Sequence, residues 1–474
     1  MSATHEVSSV RRARAIAVDS LEPGMEIDGF LLGDLVHRGS MASIFRLAGS
    51  DGPLPLIIKI PRLGAGERAV NVIAFEVCRM VLGALAQGPH YPTLVAYGDV
   101  ETTPYLVISW IEGVRLDDSI RRAPLPAEEI ARLGSALALA LHEIHRQDVV
   151  HLDVKPTNVL YRPSGDAVLV DFGLAHHAHY PDLLAEELRM PVGNWVYMAP
   201  EQILGVRGDP RSDLYALGAI LYQLATGRPP FGHPRTVRQL RRRLYRAPVA
   251  PRALVAGIPP WLQEIILRCL EADARERYGR AADVAFDLAH PGQVLLTTRA
   301  ARTRPDGWTV LARRWLAARA FQPAPVPPPS RRVGPAPIVL VALAPPPSDE
   351  SMLEAMRDAT RQVIAADDRC RIAGVTVVPP AATLGAAETA TGRHIKHLVG
   401  LRAWAKALEL SDERITFHVL ESEKPAAALV DYARMNDVEQ MLVGAPRSTR
   451  LFRSVASQIV AEAPCNVTVV RPRT

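Results

Sequence analysis

Five side chains of complementary chemistry stand within the first 171 residues: Lys59, Glu76, Asp153, Asn158 and Asp171. Carboxylate and amide oxygens are the hard donors that Mg²⁺ prefers. A lysine ammonium is a compact positive charge that can sit against an anion, and a further carboxylate can accept or orient the proton of a hydroxyl. Lys59 ends the apolar run Leu56-Ile57-Ile58-Lys59, and Glu76 lies in a helical stretch soon after. Asp153 and Asn158 share His151-Leu152-Asp153-Val154-Lys155-Pro156-Thr157-Asn158, and Asp171 opens Asp171-Phe172-Gly173 eighteen positions after Asp153. Together they suit chemistry on a polyanion held through a divalent cation.

Such a set needs a frame. Residues 35–47 and 54–60 read as strands, 67–85 as a helix, 105–111 as a strand and 127–145 as an amphipathic helix. Strands first and helices later predict an α+β arrangement.

With Met198-Ala199-Pro200-Glu201 following, the ordered series of motifs resembles the protein kinase family, and this resemblance implies a bilobal fold and phosphoryl transfer. In that chemistry catalysis is mostly positioning and charge neutralisation. The resemblance gives Lys59 the α- and β-phosphates, with Glu76 holding its ammonium. It makes Asn158 and Asp171 the Mg²⁺ (or Mn²⁺) ligands, Asp153 the group that orients the acceptor hydroxyl, and Lys155 a partner of the γ-phosphate. Lys155 at this place is similar to serine/threonine kinases. ATP is expected in a slot lined by His37, Gly39, Ala42, Ile44, Ile57, Lys59, Ile108, Ser109, Trp110, Ile111 and Leu160, with Ile108 as gatekeeper and Ser109–Ile111 offering backbone groups to adenine. Asp213 falls where the family anchors its catalytic loop, and Arg277 where an arginine pairs with Glu201.

The sequence departs from the family pattern in four places. The glycine loop aligns with His37-Arg38-Gly39-Ser40-Met41-Ala42 and keeps only the central glycine, which predicts a stiffer loop. Ile57 replaces a smaller residue above adenine and predicts a narrower slot. Leu152 replaces the arginine that clamps an activation-loop phosphate, and residues 174–199 contain no Ser or Thr, so activity is expected without Ser/Thr phosphorylation there. Asn194 stands in for a threonine that braces Asp153, and is expected to hydrogen-bond in its place. His176, His177 and His179 read as solvated loop histidines in preference to a metal site. The arginines of residues 235–246 read as a solvated helix face, with docking of an acidic partner as the alternative.

The chain of 474 residues is about three times a typical domain of roughly 150. Its 48% hydrophobic and 22% charged residues exclude a disordered or collagen-like chain. A net charge of +5 is too dilute to announce a nucleic-acid binder. Four scattered cysteines suggest a reducing compartment, and the absence of a signal peptide or spanning segment makes cytoplasmic the expectation.

The Pro-rich run 322–337 divides the chain. We expect an N-terminal extension at 1–27, the kinase domain at 28–290, a basic helical and Pro-rich linker at 291–337 and a second domain at 338–474. Within the linker, residues 307–321 form a basic amphipathic segment expected to pack on the large lobe in preference to a membrane surface. Beyond it, apolar strand-like runs alternate with helical patterns and predict an α/β Rossmann-like parallel sheet. Met441-Leu442-Val443-Gly444, Ser454-Val455-Ala456 and the closing Ala463–Val470 stretch resemble the universal stress protein family. Its nucleotide-binding glycine motif is replaced by Gly444, Arg447 and Arg453-Ser454, so ATP is not expected in this domain. The resemblance implies a sensory or dimerisation role, with homodimer pairing through the last strand. The whole reads as a protein serine/threonine kinase acting on protein substrates; the alternative is a pseudokinase scaffold that binds partners under nucleotide control.

Overall fold

The computed structural model describes residues 21–39, 42–49, 55–62, 69–98, 103–180, 182–185, 192–304, 308–318, 321–326, 337–345, 349–367, 369–380, 390–410, 414–436, 438–445 and 454–472. The small lobe is an antiparallel six-stranded sheet in the order Glu26–Ile27, Phe30–Arg38, Ala42–Leu47, Leu56–Pro61, Tyr105–Ser109, Leu94–Gly98. Leu32, Phe45, Ile58 and Val107 form one side of its core, and Leu21 and Ile27 complete it. The helix Ala69–Ala84 brings Glu76 beside this sheet and buries Val72, Phe75 and Val81.

The large lobe is built around Arg211–Thr226, a helix buried along almost its whole length. Ala127–His145 packs on it through Ile130, Leu133, Leu137, Leu141 and Ile144, whose spacing of three and four places them on one face. Burying each such side chain contributes about 1.5–3 kcal/mol before chain entropy is subtracted. A hairpin, Val159–Tyr161 against Ala167–Leu169, lies under the cleft. Its register brings Asn158 and Asp171 to the same end, and Val170 N–H donates to the Asn158 carbonyl at 3.0 Å. That pairing explains the interval between the two motifs.

The second domain is a parallel sheet in the order Ile415–Glu421, Arg371–Val378, Ile338–Leu343, Val438–Gly444, Asn466–Val470. Glu350–Ala366 and Ala390–Ala405 cover one face, while Pro425–Met435 and Val455–Glu462 cover the other. In the linker helix Trp308–Ala317, Trp315 and Leu316 are 45% and 59% exposed, and the flanking Arg313 and Arg314 are exposed as well. No helix among the described residues is long and apolar enough to cross a membrane.

Candidate active site

The loop carrying Asp153 takes its shape from Asp213, buried in the first turn of Arg211–Thr226. Asp213 Oδ2 accepts the His151 N–H at 2.8 Å and meets His145 Nε2 at 2.9 Å, while Oδ1 accepts the Leu152 N–H at 2.8 Å. Leu152 has φ 62°, a left-handed conformation that a leucine adopts only when its surroundings impose it. Asp153 is 7% exposed and fully engaged. Its Oδ2 meets Lys155 Nζ at 2.5 Å and accepts from Asn158 Nδ2 at 3.0 Å. Its Oδ1 accepts the Asn194 N–H at 3.2 Å. Asn194 therefore reaches Asp153 through its backbone and not, as expected, through its side chain, whose Oδ1 accepts from Val196 N–H at 3.0 Å and closes a local turn.

Across the cleft Lys59 Nζ lies 2.7 Å from Asp171 Oδ1. The ammonium of Lys59 draws the Asp171 carboxyl down to about 2, against the opposing effect of burial. Burial alone would lower the lysine, but the neighbouring carboxylate more than reverses this and raises it. Asp171 is thus ionised at any working pH. Asn158 turns its amide nitrogen to Asp153, which leaves the amide oxygen for a cation. An anionic carboxylate and an amide oxygen at one end of a hairpin fit Mg²⁺.

Glu76 departs from its expected partner. Its Oε1 lies 2.6 Å from Arg402 Nη2 of the second domain, and its Oε2 accepts from Arg79 Nε and Nη2 at 3.2 and 3.1 Å. Lys59 pairs with Asp171 instead. The reason is electrostatic: two guanidinium groups outcompete one ammonium that already has a carboxylate.

A cavity of about 520 Å³ lies between the lobes, within the usual range for a ligand pocket. His37, Gly39, Ala42, Ile44, Ile57, Lys59, Ile108, Ser109, Trp110, Ile111 and Leu160 all line it, together with Lys155, Asn158 and Asp171. Asp153 and Glu76 stand outside its wall. Gly39 N–H donates to the Ala42 carbonyl at 3.0 Å, closing the hairpin whose tip, Ser40-Met41, lies outside the described residues. Ser109 N–H donates to Thr93 O at 2.9 Å and Trp110 N–H to Pro55 O at 2.7 Å. Of the backbone groups expected to face adenine, the Ser109 and Trp110 N–H groups are thus engaged within the small lobe. The apolar slot, the lysine and the hard oxygens fit Mg-ATP.

Sequence reasoning missed Val36, Cys78, Leu82, Pro92, Arg115 and Thr157, which also line the cavity. Cys78 and Leu82 are four apart on the Glu76 helix, and that periodicity was the available signal. The histidines are not solvated as expected. His177 and His179 are buried, and His179 Nε2 meets Asp148 Oδ2 at 2.8 Å. Burial, aided by His179 and Arg371, pushes the His177 imidazole down to about 3. Among the described residues no group of three or more His, Cys, Asp or Glu side chains is placed to hold a metal ion. The arginine run is exposed at Arg235, Arg238, Arg241, Arg242 and Arg246, but Arg243 is buried and donates to the Met198 and Trp195 carbonyls. Glu201 and Arg277 form the expected buried pair, with oxygen to nitrogen distances of 2.6 and 2.8 Å.

In the second domain, Ala344, Thr376, His397 and Trp404 line a cavity of about 250 Å³, smaller than most ligand pockets. Arg447, Arg450 and Arg453 lie outside the described residues.

Residues 86–288 match the family model of the protein kinase domain, and residues 337–471 that of the universal stress protein family. The chain is 34% identical over 293 residues to serine/threonine-protein kinase Pkn1 of Myxococcus xanthus, covering 60% of this chain and 39% of that protein. It is 28% identical over 276 residues to serine/threonine-protein kinase PknB of Mycobacterium leprae, covering 56% of this chain and 44% of that protein. The chain thus spans about two fifths of the length of these curated relatives. The solved kinase domain of Mycobacterium tuberculosis PknI aligns with a TM-score of 0.44 and 20% identity, over 58% of this chain and 99% of that one. The chain thus carries a match to the protein kinase domain followed by a match to the universal stress protein family.

Proposed function

We propose that this chain is a serine/threonine protein kinase that transfers the γ-phosphate of Mg-ATP to protein hydroxyls. The observation that carries this reading is the convergence of Lys59, Asn158, Asp171 and Lys155 on one cleft, with Asp153 held against Lys155. When bound, Mg²⁺ (or Mn²⁺) would neutralise phosphate charge, with Asp171 and Asn158 as its ligands. Lys59 would then exchange the Asp171 carboxylate for phosphate oxygens. Asp153 accepts the hydroxyl hydrogen and aims the oxygen, a role favoured by its three fixed contacts. Lys155 balances charge on the transferred group. Ile57, Ile108 and Leu160 exclude water from the purine.

The relatives' names support protein substrates, and the Met198–Glu201 region with its following helices supports a protein platform over a small-molecule acceptor. The second domain serves a sensory or dimerisation role, and its outer strand Asn466–Val470, at the sheet edge, suits pairing with a second copy. Purified full chain incubated with Mg²⁺, labelled ATP and a generic basic protein should transfer label, and Asp153→Asn and Lys59→Met should not. Transfer that survives both substitutions would refute the assignment. ATP binding without transfer would favour a scaffold.

A further inference from the structure

Among the described residues, two contacts between the second domain and the kinase domain bear on the cleft. At the first, Arg402 on the helix Ala390–Ala405 takes Glu76 Oε1 at 2.6 Å, in a pair whose side chains are 14% and 12% exposed. The Arg402 guanidinium also lies over the Phe417 ring, with its carbon 5.8 Å from the centroid, which fixes it from the domain side. At the second, Arg371 donates to the His179 carbonyl and stacks 4.2 Å over the Tyr180 ring, and Asp182 N–H donates to Asn436 Oδ1 at 2.9 Å. His179, Tyr180 and Asp182 lie six, seven and nine residues after Gly173. The Glu76 helix and this segment are therefore both in contact with the same sheet domain.

The consequence is visible at Lys59. With Glu76 drawn to Arg402 and to Arg79 of its own helix, the ammonium is left to Asp171, and the lysine and the carboxylate assigned to the metal neutralise each other. The cleft also reaches behind Lys59 to Cys78, Leu82 and Phe172, beneath the displaced glutamate's helix. Phosphoryl transfer needs the reverse arrangement, with Glu76 on Lys59 and Asp171 on the metal. The segment 174–199 has no Ser or Thr to carry a phosphate, and Leu152 offers no cation to receive one. Control of this site through a contact with the neighbouring domain fits that absence.

We infer that the universal stress protein domain is an intramolecular inhibitor of the kinase domain, acting through Arg402, which withdraws Glu76 from Lys59. Arg371 and Asn436 hold the segment after Gly173 in the matching position. Movement of the helix Ala390–Ala405 away from the kinase domain frees Glu76 to take Lys59, and Asp171 is then released to the cation. This rests on the kinase reading above, because a rate must exist to be inhibited.

The test uses the full chain with Mg²⁺, labelled ATP and a basic protein acceptor, and compares the unaltered chain with Arg402→Glu, Arg402→Lys and Arg371→Ala. Arg402→Glu places a carboxylate against Glu76 and should raise the transfer rate at least fivefold, the lower end of ordinary coupling between sites. Arg402→Lys keeps the pair and should stay near the unaltered chain. Arg371→Ala loosens the second contact alone and should raise the rate by a smaller factor, which guards against a misfolded Arg402 variant. Amide exchange in residues 69–84 should quicken in Arg402→Glu, a change that general damage to the cleft would not couple to a gain of activity. Equal transfer by all four chains overturns the inhibitory role and leaves the kinase reading standing. Faster transfer without faster exchange in 69–84 overturns the route through Glu76. Absence of transfer from every chain overturns the kinase reading and the inhibitory role with it.

Discussion

The loop His151–Asn158 and the helix Ala69–Ala84 each supply charged groups to the same cleft, yet they are held in opposite ways. The loop is wired to its own lobe: Asp213 fixes two of its backbone N–H groups, and Asp153 has three further contacts within the kinase domain. The helix offers Glu76, which pairs with Arg79 of its own helix and, at 2.6 Å, with Arg402 of another domain. The match to the protein kinase family model begins at residue 86, so it takes in the loop and excludes Lys59 and Glu76. The groups assigned to the chemistry are preorganised, and the group assigned to hold Lys59 is conditional.

The sharpest way to break that contrast is to attack the loop's foundation. Arg277 donates to both oxygens of Glu201, and Ser212, the neighbour of Asp213, donates to Glu201 Oε1 at 2.8 Å. Arg277→Ala strands a buried carboxylate, and removing one partner of such a pair costs about 3–5 kcal/mol. Denaturant unfolding of the full chain should show a large-lobe midpoint lowered to match. A loss below 1 kcal/mol would mean that the lobe is not the rigid platform described. Next comes Asp213→Ala, which frees the His151 and Leu152 N–H groups and lets Leu152 leave its left-handed conformation. Misplacing Asp153 by about 1 Å should lower kcat roughly 100-fold while ATP affinity holds. An unchanged kcat would show that the loop holds its shape unaided.

How much of this was legible beforehand follows the same division. Asp153, Asn158 and Asp171 could be read because their partners are near in sequence and a hairpin sets their spacing. Lys59 and the cavity wall could be read because the order of motifs matched the protein kinase family, whose pattern places Ile57 and Ile108–Ile111 around the nucleotide. Glu76 was found, but its partner was not, since nothing local ties it to Arg402 in a separate domain. Asn194 was misassigned because a backbone N–H does the work there, and a backbone group carries no residue signature. The histidines looked solvated because the Arg371 that helps cover them also lies in the second domain. The strand Leu94–Gly98 went unseen, being five residues long at the sheet edge with alternating burial.

The histidine segment gives a smaller test, carried by pH. His177 is held neutral in the folded chain, with its pKa lowered from 6.5 to about 3. Between those values the unfolded chain binds a proton that the folded chain does not. Stability from this group is therefore complete above pH 6.5 and is lost as the pH falls toward 3, by at most about 1.4 kcal/mol per unit. His177→Phe keeps an aromatic ring against Tyr180, whose centroid is 4.6 Å away, and removes the titration. Thermal midpoints measured from pH 7.5 down to pH 5 should fall less steeply in this variant. Parallel curves would show that His177 is open to protons in the folded state.

The smallest effect is expected where the family pattern is already worn. A Cβ added at Gly39 would stand 3.0 Å from His37 Nε2 and 3.5 Å from the Ala42 carbonyl oxygen. The first neighbour is the end of an exposed side chain and can turn aside; the second is ordinary contact. Gly39→Ala should therefore cost about the 0.5–1.5 kcal/mol of one displaced rotamer. Because this loop meets the nucleotide and not the acceptor, the loss should appear as a KM for ATP raised a few-fold with kcat little changed. A collapse of kcat would mean that Gly39 approaches the transferred phosphate itself. The small lobe would then be as exacting as the loop of Asp153, and the contrast between a fixed and a conditional half would have to be redrawn around Glu76 alone.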